Sequence, residues 1–245
     1  MILQIDAGNT FVKWRISDGG DIVERGTQPT EVVTHAGLAI ETTTTLSDAL
    51  LCSVANKALT QTLHDQVLNQ FDIPLQLARV SQESAGVRCG YKSPETLGVD
   101  RWLAAVAAYQ EFNGSVLVID AGSAITMDLV GPLGEHVGGY ILPGLTLMRK
   151  SLWQGTEAVQ AEPAEAQSML VPGTSTQDAV NRGCLLTVVA AIERIAGQYP
   201  ATIVVTGGDG GLILNAMSLS AVHSPDLVLD GLAVPGIDYS GALDQ

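Results

Sequence analysis

The sequence predicts an α/β fold made of two similar halves, each a mixed sheet flanked by helices, and three observations carry that reading. Strand-like and helix-like hydrophobic periodicities alternate along the 245 residues. The run Asp6-Ala7-Gly8-Asn9-Thr10 returns as Asp120-Ala121-Gly122-Ser123-Ala124, each copy closing a strand and opening a hairpin. No low-complexity linker separates the copies, so halves at 1–113 and 114–245 are expected to share an interface, whose cleft is a natural ligand site.

The elements follow in order. Ile2 to Asp6, Phe11 to Ser17 and Asp21 to Gly26 read as three short strands joined by the turn formers Gly8-Asn9 and Asp18-Gly19-Gly20. Leu50 to Val54 and Leu75 to Val80 are further apolar strands. Between them Lys57 to Phe71 sets Leu59, Leu63, Val67 and Leu68 at helical spacing, making a β-α-β unit. Thr96 to Phe112 has the pattern of an amphipathic helix through Leu97, Trp102, Leu103, Val106 and Ala107, and Asn113-Gly114 ends it. The chain then starts over, with strands at Ser115 to Asp120, Ala124 to Val130 and Glu135 to Ile141 and helical segments after them. A long helix is expected over Thr176 to Tyr199, capped by Thr174 or Ser175, with Gly183 as a close-packing point. Thr202 to Thr206 is a strand that runs into Gly207-Gly208-Asp209-Gly210-Gly211.

Composition narrows the function classes. Hydrophobic residues are 46% and charged residues 16%, which suits a globular chain and excludes global disorder. Twelve Lys and Arg against 26 Asp and Glu leave a net charge of −14, with no basic stripe to neutralise a nucleic-acid backbone. The exclusion covers extended polyanions only, since small anions can be held by a few local charges and backbone amides. No apolar run approaches the ~18 to 20 residues that cross a bilayer, and Met1 leads straight into a strand with no room for a leader, so a cytoplasmic location is expected. The 3 cysteines, Cys52, Cys89 and Cys184, form no CxxC pair and read as free thiols, and the 4 histidines are scattered outside any HExxH pattern.

A strand ending in Asp, followed by small residues and a hydroxyl, presents a carboxylate and backbone N–H groups at one spot, which suits a Mg²⁺–phosphate unit. Strand alternation lets Lys13 reach the same spot as a point charge. A hairpin turn accounts for either copy alone; two copies and a third Gly-rich strand end at Thr206 to Gly211 favour phosphate or nucleoside loops. Walker-type sites are excluded because none of Lys13, Lys57, Lys92 and Lys150 follows a glycine, and no GxGxxG follows the first strand.

In order along the chain, DAGNTFVK, GYKSPETLGVDRW, DAGSAITMD, GGYILPG and VVTGGDGG resemble the type III pantothenate kinase family over nearly the whole length. The middle block is the most specific, since the turn motifs recur in other actin-like and sugar-kinase-like ATPases. The resemblance implies a duplicated actin-like (ribonuclease H-like) fold with ATP in the cleft between two domains. It implies ATP-dependent phosphorylation of pantothenate to 4′-phosphopantothenate, the first step of coenzyme A biosynthesis. Asp100 is then the catalytic base, near a helix start where a carboxylate is stabilised as the anion; read alone, its better account is a helix N-terminal acid paired with Arg101, and the resemblance reverses that order. Tyr91, Gly98, Val99, Asp100, Arg101 and Thr176 would contact pantothenate, Arg101 through its carboxylate. Internal roles exist for Arg101 as a salt-bridge partner and for Thr176 as a cap. Asp6, Ala7, Gly8, Asn9, Thr10, Phe11, Val12 and Lys13 would form the first ATP loop, with Asp6 reaching Mg²⁺ through the phosphates, and Ser123 would serve the second. Asp120 would hold a monovalent cation, K⁺ or NH₄⁺, and Gly207 to Gly211 would lie against adenosine. Family members work as homodimers, which would bring Thr176 to the partner's pocket. The second loop departs from the frequent Thr after Gly, with Ser123 there instead. Competing readings are another actin-like phosphotransferase or polyphosphatase, and a non-catalytic transcriptional accessory protein.

Overall fold

The structure, a computed structural model, describes residues 1–42, 44–155 and 170–241. It contains two compact units: residues 1–110 with 227–245, and residues 111–226.

The first unit opens on β1 (Ile2–Ala7), β2 (Phe11–Asp18) and β3 (Asp21–Pro29), an antiparallel meander as expected. α1 (Thr30–Ala36) follows, then β4 (Asp48–Ser53), α2 (Lys57–Phe71) and β5 (Leu75–Arg79), with β4 parallel to both β1 and β5. β1 and β4 are central and buried on both faces, which explains their nearly unbroken apolar runs, whereas β3 at the edge is exposed along most of its length. α2 buries Leu59, Leu63 and Val67, one residue per turn, each worth about 1.5–3 kcal/mol over an exposed position. Asn56 caps it by accepting the Leu59 amide at 3.0 Å. After the small ribbon β6 (Glu83–Ser84) and β7 (Val87–Arg88) comes α3 (Val99–Phe112).

α3 starts three residues later than the periodicity suggested. Pro94–Thr96 is a separate 3₁₀ turn, and Leu97 is extended (φ −80°, ψ 134°), so the helix cannot begin before Gly98. Nor is it amphipathic: every residue from Arg101 to Ala108 is buried, and its alanines allow neighbours to approach on all sides.

The second unit repeats the topology. β8 (Val116–Ala121), β9 (Ala124–Val130) and β10 (His136–Pro143) form an antiparallel meander. α4 (Leu145–Gly155) and α5 (Thr176–Gln198) follow, then β11 (Thr202–Thr206) parallel to β8, α6 (Gly210–Ala216), and β12 (Val222–His223) parallel to β11. Read from the meander edge, the sheets run β3-β2-β1-β4-β5 and β10-β9-β8-β11-β12. The same connection pattern occurs twice, which is the duplication the Asp-Ala-Gly repeat announced. Ser175 is the cap of α5, its Oγ accepting the Asp178 amide at 3.1 Å. Gly183 is not a packing point, because a Cβ there would meet nothing within 4 Å among the described residues.

The chain end departs from the expected halves. α7 (Leu227–Leu232) and β13 (Asp238–Gly241) belong to the first unit, where β13 adds a sixth strand antiparallel to β5. That pairing joins strands far apart in sequence, and a composition scan cannot see it.

Candidate active site

The first loop forms where β1 ends. Asp6 stands opposite Lys13 across the β1–β2 ladder, and the turn closes with the Gly8 amide donating to the Phe11 carbonyl at 3.0 Å. Ala7 and Val12 are buried, so only their backbone groups can serve a phosphate, while Asn9, Thr10 and Phe11 are exposed. Thr30 braces the loop, its hydroxyl donating to the Gly8 carbonyl at 2.8 Å and its amide to the Thr10 carbonyl at 3.0 Å. The sequence reading missed Thr30; a Thr after Pro29 signals a helix start, not a loop brace.

The second loop is tighter. The Gly122 amide donates to the Ala124 carbonyl at 3.0 Å, leaving Ser123 alone between the bonded residues where the first loop has Asn9 and Thr10. Asp120 is flanked by Thr126 on β9 and by the buried Thr206 on β11. Gly207 (φ +88°) packs on Ala121, where a Cβ would lie 2.5 Å from the carbonyl oxygen, and the Asp209 amide donates to that carbonyl at 2.9 Å. The glycine run therefore wraps the end of β8, beside the second loop. Burial pushes the Asp209 carboxyl up, against the pull of Arg149. Gly144, the last residue of GGYILPG, was also missed as a site residue: a Cβ there would come within 2.5 Å of the Gly122 and Ser123 carbonyl oxygens.

The start of α3 gathers the middle block. Asp100 lies in the first turn, and its Oδ1 accepts the Arg101 amide at 2.8 Å, one of the N–H groups a helix start leaves without a backbone partner. A Cβ on Gly98 would fall 2.6 Å from that Oδ1, so the residue before α3 has to be small for the carboxylate to sit there. Arg101 is 8% exposed; it donates from Nη1 to the Tyr91 hydroxyl at 3.1 Å, with its guanidinium carbon 5.9 Å from the ring centre. Gly98 and the Arg101 amide thus lie against the Asp100 carboxylate, and the Arg101 side chain lies against Tyr91, with Val99 between Gly98 and Asp100 in the chain.

Thr176 belongs to the second unit, as the exposed first residue of α5. Ser175 does the capping, so Thr176 is not needed for it. Thr176 lines a groove of about 600 Å³ in the second unit, together with Met148, Leu152, Gly183 and Cys184. Burial pushes the Cys184 thiol up. Among the described residues no group of three or more His, Cys, Asp or Glu is placed to hold a metal ion, and no helix is long and apolar enough to cross a membrane.

A repeated mixed sheet with an Asp-Ala-Gly hairpin at the end of each first strand gives the chain a duplicated actin-like fold. Solved structures agree on the fold. A protein from Campylobacter jejuni described as a Baf family transcriptional activator superposes with a TM-score of 0.58 at 21% identity, covering 94% of each chain. Ethanolamine utilization protein EutJ from Carboxydothermus hydrogenoformans gives 0.55 at 14% identity, covering 96% of this chain and 89% of that one. A protein from Sinorhizobium meliloti described as a 2-dehydro-3-deoxygalactonokinase gives 0.58 at 13%, covering 95% and 97%.

The sequence model of type III pantothenate kinase matches residues 2–198. Curated type III pantothenate kinases are similar over nearly the whole chain. That of Chromohalobacter salexigens is 38% identical over 243 residues, 95% of this chain and 86% of the relative. Those of Pseudomonas putida and Azotobacter vinelandii are 37% and 36% identical, each over 96% of this chain and 98% of the relative. The chain belongs to the type III pantothenate kinase family, whose reaction is ATP-dependent phosphorylation of pantothenate on the route to coenzyme A. ATP with a divalent metal, and pantothenate, are the substrates this membership entails.

Proposed function

We propose that this chain phosphorylates pantothenate with Asp100 as the general base and the Tyr91–Arg101 pair as the pantothenate anchor. The observation that carries the assignment is the Asp100 carboxylate at the start of α3, bonded by the Arg101 amide at 2.8 Å. Asp100 takes the proton of the primary hydroxyl as that oxygen bonds to the γ-phosphorus of ATP; the bond from that phosphorus to the bridging oxygen breaks, and ADP leaves with the electron pair. Arg101 offers its planar fork to the pantothenate carboxylate, and its bond to Tyr91 sets the plane of that fork. Gly98 and Val99 shape the approach to Asp100, and Thr176 contacts pantothenate.

The amides of Asp6 to Lys13 and the Lys13 ammonium meet the phosphates, Ser123 meets them from the second loop, and the glycines of the Gly207 to Gly211 run approach adenosine closely because they lack side chains. Asp6 would hold Mg²⁺ through the phosphates, where the ion would offset their charge. Asp120, between two threonine-bearing strands, supplies an oxygen donor for a monovalent cation, K⁺ or NH₄⁺.

The chain works in the cytoplasm as a homodimer. Exposed Tyr140 and Ile141 on β10, Leu147 and Leu152 on α4 and Leu186 on α5 favour a covered face on the second unit. In that dimer Thr176 serves the partner's pantothenate. An ADP-release assay with pantothenate, ATP and Mg²⁺, with and without K⁺, tests the reading. Release that depends on pantothenate and rises with K⁺ is expected, and release indifferent to pantothenate sinks it. A single-protomer mass by light scattering removes the dimer.

A further inference from the structure

Gly231, on α7, touches the backbone of the helix that carries Asp100. A Cβ on Gly231 would lie 2.4 Å from the Leu103 carbonyl oxygen and 2.7 Å from its carbonyl carbon. Both atoms are main chain, so no rotamer change relieves the clash. Leu103 stands one turn after Asp100 on α3, so a shift at Leu103 reaches the Asp100 carboxylate through rigid helix.

α7 is itself tied to the sheet. The Gln4 amide Nε2 donates to the Leu229 carbonyl at 2.7 Å, Arg15 Nη1 donates to Asp230 Oδ1 at 2.6 Å, and Arg15 Nε donates to Gln4 Oε1 at 2.8 Å. Gln4 and Arg15 are buried and face each other across β1 and β2. The Gln4–Arg15 pair at the centre of this network is buried and Asp230 is partly exposed; a buried polar pair is a weak source of stability compared with apolar packing, and its value is a single defined arrangement. Gln4 stands two residues before Asp6, and Arg15 two residues after Lys13, on the strands that end in the first loop. α7 therefore connects that ladder to α3.

We infer that α7 is a positioning element for catalysis: the Gln4–Arg15–Asp230 network sets α7 on the sheet, and Gly231 sets the start of α3, and with it Asp100, against α7. Gly231 and Asp230 are positioning residues that act through Asp100. The inference rests on Asp100 being the base.

Gly231→Ala, Asp230→Asn, Asp100→Asn and the double variant Gly231→Ala/Asp100→Asn are assayed for pantothenate-dependent ADP release, with Val67→Ala, a buried α2 change in the same unit, as a stability control. Gly231→Ala is expected to lower kcat by about 10- to 100-fold, as a misplacement on the order of 1 Å does, with KM for ATP held within about twofold. Asp230→Asn lowers kcat in the same direction by a smaller factor. Val67→Ala lowers Tm and keeps kcat. The double variant loses no more than Asp100→Asn alone, because there is no longer a base to misplace. Normal kcat in Gly231→Ala overturns the inference, and if Gly231→Ala does not fold, normal kcat in Asp230→Asn overturns it. Losses that multiply in the double variant, or that Val67→Ala shares, also overturn it. Normal turnover in Asp100→Asn overturns the base assignment and this inference with it, whereas an inactive Asp100→Asn beside a normal Gly231→Ala defeats only the inference.

Discussion

Asp6 faces Lys13 across the first hairpin ladder, and Asp120, at the same place in the second hairpin, faces Thr126. The duplicated strands therefore end in unlike pairs, an acid opposite a fixed cation in one unit and an acid opposite a hydroxyl in the other. A soluble cation at Asp120 would take the role that Lys13 fills beside Asp6.

This asymmetry makes a direct prediction. Thr126→Lys is expected to make activity much less dependent on K⁺, because the ammonium supplies the charge in place. The check is the ratio of initial rates in K⁺ and in Na⁺. A wild-type ratio near one would itself remove the cation from Asp120.

Asp100→Asn keeps the shape of the side chain and its bond to the Arg101 amide but cannot accept the hydroxyl proton. It is expected to lower kcat by about 10²–10⁴-fold while leaving both KM values within a few-fold. Steady-state kinetics with pantothenate and ATP decide it, and near-normal kcat takes Asp100 out of the mechanism.

Gly98→Ala places a methyl group where the Asp100 carboxylate now sits, 2.6 Å from Oδ1. The carboxylate has to rotate, and kcat is expected to fall about tenfold or more, with little change in Tm because the clash is with a side-chain end. A variant with full activity would show that Asp100 works from another rotamer.

At the start of α5, stability and binding separate between neighbours. Ser175→Ala removes the cap and is expected to cost about 1 kcal/mol, or roughly 2–4 °C in Tm, with kcat unchanged. Thr176→Val should leave Tm alone and raise KM for pantothenate. The reverse pattern would return Thr176 to a purely structural role.

Glu193 on α5 accepts bonds from the Ser218 amide at 3.0 Å and its hydroxyl at 2.6 Å, which hold its carboxyl below the ordinary value of 4.5. A carboxylate whose folded value is lowered adds stability above its unfolded value and loses it as pH falls through the folded one. Melting curves from pH 6 down to pH 3 should therefore fall more steeply in the native chain than in Glu193→Gln. Parallel curves would show that the Ser218 bonds contribute nothing to acid sensitivity.

The sequence alone was enough for the meander strands, for α2 from Lys57 to Phe71 and for the Asp-Ala-Gly repeat, each a local signal: a run of alternating or helical apolar spacing, or a turn glycine. Asp100 and Arg101 stand out through the family resemblance of the block that holds them, since read alone they are a charged pair at a helix start. Tertiary structure decided the rest. Residues 227–241 join the first unit because β13 pairs with β5, and Arg101 turns onto Tyr91 because the 3₁₀ turn and extended Leu97 bring that segment back over α3. Gly183 and Gly231 look alike in sequence, yet one opens onto a groove and the other touches main chain. A glycine's meaning depends on what packs against its missing side chain, and those contacts come from elements far away in the chain.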